Sequence, residues 1–224
     1  MILDNNEDLL NLFELFQLKY NYKEPILQNF LGKGEKIYFE KKKIIEPGYK
    51  MLNYVYLILT GRVRQYFLDS FGYEKTILIL SPGDIFGEIT LFQEDLDRVV
   101  TEAIEDTMVV KISKGEFLST LKKHPELYDA ILKMVTTKFR ILMDQIYDLS
   151  YYSTKDKLIN LLKRLAKQNG EKIECGIKIN IKLTHYDIAK MIGTTRETIT
   201  KLLPSLKRDK IIDIKDKYII VLKN

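Results

Sequence analysis

The sequence predicts an α+β fold in three successive parts: a strand-rich antiparallel domain over residues 1–125, one long helix over 126–152, and a small basic domain of helices and a hairpin over 153–224. Three observations predict it. Short β-branched and aromatic runs between glycine turns fill much of the first part. An uninterrupted apolar heptad makes up the second, and two capped helices followed by two short strands close the third.

Leu9, Leu10, Leu12, Phe13, Leu15, Phe16 and Leu18 recur at helical intervals, which predicts a helix within residues 7–30. From Gly34 to Lys111 the character changes. The runs VYLIL (55–59), VRQYF (63–67) and TILIL (76–80) have strand composition. Turn glycines at 48, 61, 72 and 83, about eleven residues apart, indicate an antiparallel sandwich or barrel. VYLIL and TILIL lack polar alternation and are expected to be interior strands.

From Glu126 onward Tyr128, Leu132, Val135, Phe139, Leu142, Ile146 and Leu149 are spaced 4, 3, 4, 3, 4, 3, with no glycine or proline among them. Ile131, Met134 and Ile141 flank this seam. One face can therefore pack on its own domain while Leu132, Val135, Phe139, Leu142, Ile146 and Leu149 meet a partner helix, which predicts a homodimer. Ser153 is placed to cap a helix through KDKLINLLKRLAKQN that ends at Gly170, and IKINIKL (177–183) alternates as a strand does. Thr184 can cap a helix ending near Gly193, and Thr194 or Thr195 a second. IIDI and YIIVL then flank a Lys215-Asp216-Lys217 turn. Helix, glycine turn, helix and hairpin in this order make a winged helix-turn-helix.

Of the 224 residues 46% are apolar and 30% charged, enough for packed cores. The single cysteine, Cys175, excludes a disulfide framework, a four-thiolate zinc site and an iron–sulfur cluster within one chain. The acidic N-terminus is unlike a signal peptide, and no run approaches ~18 uncharged apolar residues, so a soluble cytoplasmic protein without membrane contact is expected. The net charge of +5 conceals a division: residues 153–224 hold 17 Lys and Arg against 8 Asp and Glu, whereas residues 1–152 hold 19 against 23. Such asymmetry points to a polyanion-binding part joined to a part with another task.

In the second helix of the basic domain, Ile199, Leu202, Leu203 and Leu206 can form the buried side. Arg196, Glu197, Thr200 and Lys201 then face outward near its start. Arginine pairs in bidentate fashion with guanine, glutamate accepts from the cytosine amino group, and lysine reaches guanine or phosphate. Thr184, His185, Thr194 and Thr195 are placed to donate to phosphates. The expected partner is double-stranded DNA with a palindromic operator, its half-sites about one helical turn (~34 Å) apart.

Carried by GTTRETITKLLPSLKRDKII and SPGDIFGEITLFQEDLDR, the chain resembles the Crp–Fnr superfamily of bacterial transcription regulators over essentially its whole length. The resemblance implies a β-roll of cyclic-nucleotide-binding type, a long dimer helix and a C-terminal winged helix, with RNA polymerase as a further partner. It matches Arg196, Glu197 and Lys201 to the three base-contacting positions of the catabolite-activator type. Lysine at the last of these lacks the bidentate fork of the usual arginine, so discrimination there should be weaker. Pro204 within this helix removes a backbone bond and is expected to bend it.

In the sensor domain the resemblance implies that Gly87 and Glu88 hold a ribose and Arg98 a cyclic phosphate. Val99 stands where a hydroxyl residue bonds the phosphate, and Leu142 and Met143 stand where hydroxyls meet the adenine. Each missing partner should cost roughly 1–3 kcal/mol. The resulting expectation is a small effector other than cAMP in the β-roll. A cAMP-responsive regulator, and one needing no effector, are the alternatives, and in its structural role Arg98 would bridge Asp95 or Asp97. No metal or resident cofactor is expected, because His185 lies in the reading domain and His124 precedes Pro125 at a helix entry.

Enzymatic function is not expected: HExxH, GxSxG, Walker and paired-cysteine motifs are all missing. Gly32–Lys36 lacks Walker spacing and reads as a turn, Lys41–Lys43 as a solvated run, and Cys175 as a surface thiol. A regulatory subunit whose basic domain contacts a protein instead of DNA is a further alternative, which salt dependence separates.

Overall fold

Residues 35–113 build two four-stranded antiparallel sheets. The computed structural model describes residues 26, 29–93 and 95–223. The helix expected within residues 7–30 lies, up to residue 25, outside the described residues. Strands β1 (Glu35–Phe39), β8 (Thr107–Ser113), β3 (Tyr54–Thr60) and β6 (Ile85–Phe86) form one sheet in that order. Strands β2 (Ile44–Glu46), β7 (Val100–Ala103), β4 (Val63–Leu68) and β5 (Glu74–Leu80) form the other. Gly48, Gly61, Gly72 and Gly83 all adopt positive φ, as turns between strands of this kind require.

The run VYLIL is buried on both faces because it separates two cores. Val55 and Leu57 pack with Phe30, Phe117, Leu127 and Met134, while Tyr56 and Ile58 pack with Val63, Leu80, Phe86 and Val109. Full burial of such side chains is worth about 1.5–3 kcal/mol each, which is why polar alternation is missing here. TILIL differs from expectation. Strand β5 is the edge of its sheet, with Thr76, Leu78 and Leu80 buried and Ile77 and Ile79 only partly covered. An apolar run at an edge shows the same lack of alternation as an interior strand when its second face is half-covered.

Helix α1 (Glu88–Gln93) follows β6, and α2 (Lys114–Lys123) follows β8, capped by Ser113, whose hydroxyl accepts from the Glu116 amide. Helix α3 (Glu126–Tyr151) contributes Leu127, Ala130, Ile131 and Met134 to the core beneath β3. Its other side carries Leu132 at 60%, Phe139 at 62% and Ile146 at 57% exposure, with Val135 and Leu149 also exposed. Leu142 departs from the seam pattern: it is half-buried and packs, with Ile141, against the core between the two sheets.

The chain divides into two compact units within α3 rather than at its ends: Tyr20–Leu142, and a second that contains Met143–Asn224. In the second, α4 (Thr154–Asn169) starts at Ser153, whose hydroxyl accepts from the Asp156 amide, and stops at Gly170. A sheet of order β11 (Ile212–Lys215), β12 (Tyr218–Leu222), β10 (Gly176–Ile179), β9 (Gly170–Ile173) follows. Strand β9 was not anticipated, and the strand expected over 177–183 ends at Ile179, where β10 loses its partners. Buried Asp148 at the end of α3 accepts from Arg164 at 2.5 Å and from Asn160 at 2.8 Å, tying that end to α4. No helix among the described residues is long and apolar enough to cross a membrane.

Candidate nucleic-acid interface and sensor site

Helix α5 (His185–Ile192) begins in a reciprocal cap. The Thr184 hydroxyl accepts from the Asp187 amide, and the Asp187 carboxylate accepts from the Thr184 amide at 2.8 Å. Such a cap is worth about 1 kcal/mol. The helix stops at Gly193 in the left-handed conformation, φ +70°, which a side chain would strain. Two residues on, the Thr195 hydroxyl accepts from the Thr198 amide and opens helix α6 (Arg196–Arg208).

Ile199, Leu203 and Leu206 form the buried side of α6, with Leu202 half-buried beside them. Arg196, Glu197, Thr200 and Lys201 are exposed together in its first turns, as expected. A hydrogen bond from its own amide and another from the Thr195 hydroxyl hold the Glu197 carboxyl below the ordinary range, with Arg196 and Lys201 adding attraction. Glu197 is therefore an ionised acceptor. The helix continues through Pro204, an exposed position one turn beyond Thr200.

The four expected phosphate donors divide. Thr184 donates its hydroxyl proton to Asp187 at 2.7 Å, and Thr195 shares its hydroxyl with Thr198 at 3.0 Å and with Glu197. In this conformation the Thr184 hydroxyl proton is committed to Asp187, and the Thr195 hydroxyl is already engaged with side chains of its own helix. Nδ1 of His185 lies 2.8 Å from Oγ1 of Thr200, joining a residue expected at phosphate to one expected at a base. Thr194 is half-buried, and its amide donates to Ala189. Across the hairpin, Asp216 and Lys217 take positive φ in the turn expected there, and the amines of Lys178 and Lys182 lie 4.5 and 5.2 Å from the Tyr218 ring centre.

In the first unit, Gly87 has φ +90°, and a Cβ there would lie 2.7 Å from the Tyr54 carbonyl oxygen. This turn delivers Glu88, 5% exposed, to the interior. Its carboxylate is already paired: Lys138 of α3 reaches it at 2.6 Å and also donates to the Ile85 carbonyl oxygen at 2.6 Å. Sequence reasoning missed Lys138. The signal was a lone lysine at the spacing of the buried stripe Ile131, Met134, Ile141.

Two further buried carboxylates lie here: Glu46, which was missed, and Asp97, which was expected only as a partner of Arg98. Glu46 accepts from the Tyr56 hydroxyl and pairs with Lys50 at 2.6 Å. Asp97 accepts from the Val99 amide at 2.9 Å, and burial, aided by Glu88 and Glu46, raises its carboxyl above the ordinary range. Arg98 is exposed and bridges neither Asp95 nor Asp97. Val99 is buried, Leu142 half-buried and Met143 half-exposed. Among the described residues no group of three or more His, Cys, Asp and Glu side chains could hold a metal ion.

A family model described as a Crp-like helix-turn-helix domain matches residues 156–224, and one for a cyclic nucleotide-binding domain matches residues 36–124. The chain is 32% identical to the anaerobic regulatory protein of Bacillus subtilis over 169 residues, which span 75% of this chain and 71% of that protein. The global nitrogen regulator of Nostoc sp. is 28% identical over 225 residues, covering 100% of this chain and 96% of its own. Among solved structures, a CooA variant from Carboxydothermus hydrogenoformans matches with a TM-score of 0.74 and 27% identity over 89% of this chain and 86% of that one.

Proposed function

Because the chain belongs to the Crp–Fnr superfamily of transcription regulators, we propose that it acts as a homodimer reading a palindromic duplex, under control of a small effector other than cAMP. The observation that carries this reading is the division of α3 into two apolar faces. One is buried in its own unit; the other leaves Leu132, Val135, Phe139, Ile146 and Leu149 in water. An apolar stripe of this length at heptad spacing is what a second copy of the same helix covers.

Each protomer then brings Arg196, Glu197, Thr200 and Lys201 to one major groove, and the excess of cations in residues 153–224 supplies the sequence-independent attraction. His185 and Thr194 are the remaining candidates for phosphate contact. RNA polymerase would be met by the DNA-bound dimer.

The effector reading draws on the sensor site. A sugar hydroxyl would meet a Glu88 carboxylate whose Oε1 already accepts from the Lys138 ammonium at 2.6 Å, and Arg98 would have to turn inward from water. Val99, Leu142 and Met143 supply no hydroxyl. These side chains do not suit a cyclic nucleotide. An effector that packs better against one arrangement of the helix pair shifts the dimer toward that arrangement, by no more than its differential affinity.

The test is an unbiased duplex selection at low ionic strength, followed by titration over a range of salt. Binding should fall steeply with salt, and Arg196→Ala should weaken the selected site by about 1–3 kcal/mol while relaxing one base position. Equal weakening on selected and scrambled duplexes would refute base reading. A flat salt response would favour a protein partner for the basic unit.

A further inference from the structure

Thr200 stands on the exposed face of α6, yet its hydroxyl is committed. Oγ1 lies 2.9 Å from the Arg196 carbonyl oxygen one turn back and 2.8 Å from Nδ1 of His185. A carbonyl oxygen only accepts, so the single hydroxyl proton goes to Arg196 and the His185 Nδ1–H donates to Thr200. Thr200 is left with no proton for a base or a phosphate. Two hydrogen bonds, one along the helix and one from α5, also hold its β-branched side chain to one rotamer. What remains for a groove is the γ-methyl group.

We infer that Thr200 is a specificity-determining residue that selects thymine through its 5-methyl group. This rests on the reading of α6 as the base-contacting helix. In the major groove thymine alone of the four bases presents a methyl. The neighbours of Thr200 on this face are Arg196, Glu197 and Lys201, which are exposed and suited to guanine and cytosine edges. An apolar point among them favours thymine, the base whose major-groove edge carries a methyl, where the charged side chains select guanine and cytosine edges. Pro204, exposed four residues on and therefore on the same stripe, extends this apolar surface and adds no N–H donor.

The experiment uses the full chain and its selected duplex, with each thymine replaced in turn by deoxyuridine, which removes only the methyl group. One thymine per half-site should respond, binding weakening about fourfold for each half-site replaced, the worth of one methyl withdrawn from water. Thr200→Ser, which keeps the hydroxyl and deletes the methyl, should abolish that response. Thr200→Val, which does the reverse, should retain it. The inference is overturned if no thymine responds, if Thr200→Ser responds as the parent does, or if Thr200→Val loses the response. Arg196→Ala separates the two levels. If it relaxes a base position while deoxyuridine has no effect, Thr200 alone is misread; if it weakens every duplex equally, the base-reading helix falls as well.

Discussion

Removing either partner of the Glu88–Lys138 pair should destabilise the sensor unit far more than removing both. The two side chains are 6% and 12% exposed, so water screens them little. Glu88→Gln leaves the Lys138 ammonium buried without a counter-charge, held only by neutral carbonyl oxygens, and Lys138→Met leaves a bare carboxylate among Glu46 and Asp97. Breaking one side of such a buried pair costs about 3–5 kcal/mol, a large part of the ~5–15 kcal/mol by which a domain is stable. Lys138→Met should be the worse variant because it also strips the Ile85 carbonyl of its donor. With both charges gone, the double variant should recover at least about 2 kcal/mol relative to the sum of the single losses. Urea unfolding followed by circular dichroism measures all four proteins. Single losses below about 0.5 kcal/mol, or losses that simply add, would refute a tightly coupled internal pair.

Phe139→Ala should weaken dimerisation roughly 100-fold, since the symmetry counts the lost contact twice at about 1.5 kcal/mol each. Sedimentation equilibrium reads this directly, and an unchanged dimer constant would place the interface elsewhere. Asp97→Asn keeps the Oδ1 acceptor for the Val99 amide while removing a carboxyl whose folded-state pKa is raised by burial. The native state holds that proton more tightly than the unfolded chain, so stability falls as pH rises from the ordinary carboxylate range through the raised value. The variant should therefore have the higher urea midpoint at neutral pH, and the difference should shrink toward about pH 4; a variant weaker than the parent at neutral pH would refute this. Millimolar cAMP should leave the melting temperature within about a degree, whereas a rise of several degrees would show that the sensor unit binds the nucleotide after all.

Legibility in the sequence followed the range of the interactions. The reading unit is built from local rules: Ser153, Thr184 and Thr195 cap, Gly193 stops, and Ile199, Leu203 and Leu206 repeat at helical spacing. All of these lie within a few residues of what they control. Strand β9 was missed because GEKI has no apolar pattern of its own and is a strand only through pairing with β10. The same reason hid Lys138, whose partners Glu88 and Ile85 are about fifty residues away in the chain. Leu142 fits the heptad by number, but a 3.6-residue helix drifts against a 3.5-residue repeat, and by that point the position has turned toward the roll. The caps at Thr184 and Thr195 were legible, but the sequence did not show that the Thr184 proton returns to the Asp187 carboxylate of its own cap.

The lone thiol has a practical consequence. Cys175 is exposed in the turn between β9 and β10, within the unit that carries α6. A nitroxide attached there would label each copy once, without engineering any residue. In the proposed dimer, pulsed electron resonance between two such labels would report the separation of the two reading units in solution, and its change when a candidate metabolite or a duplex is added.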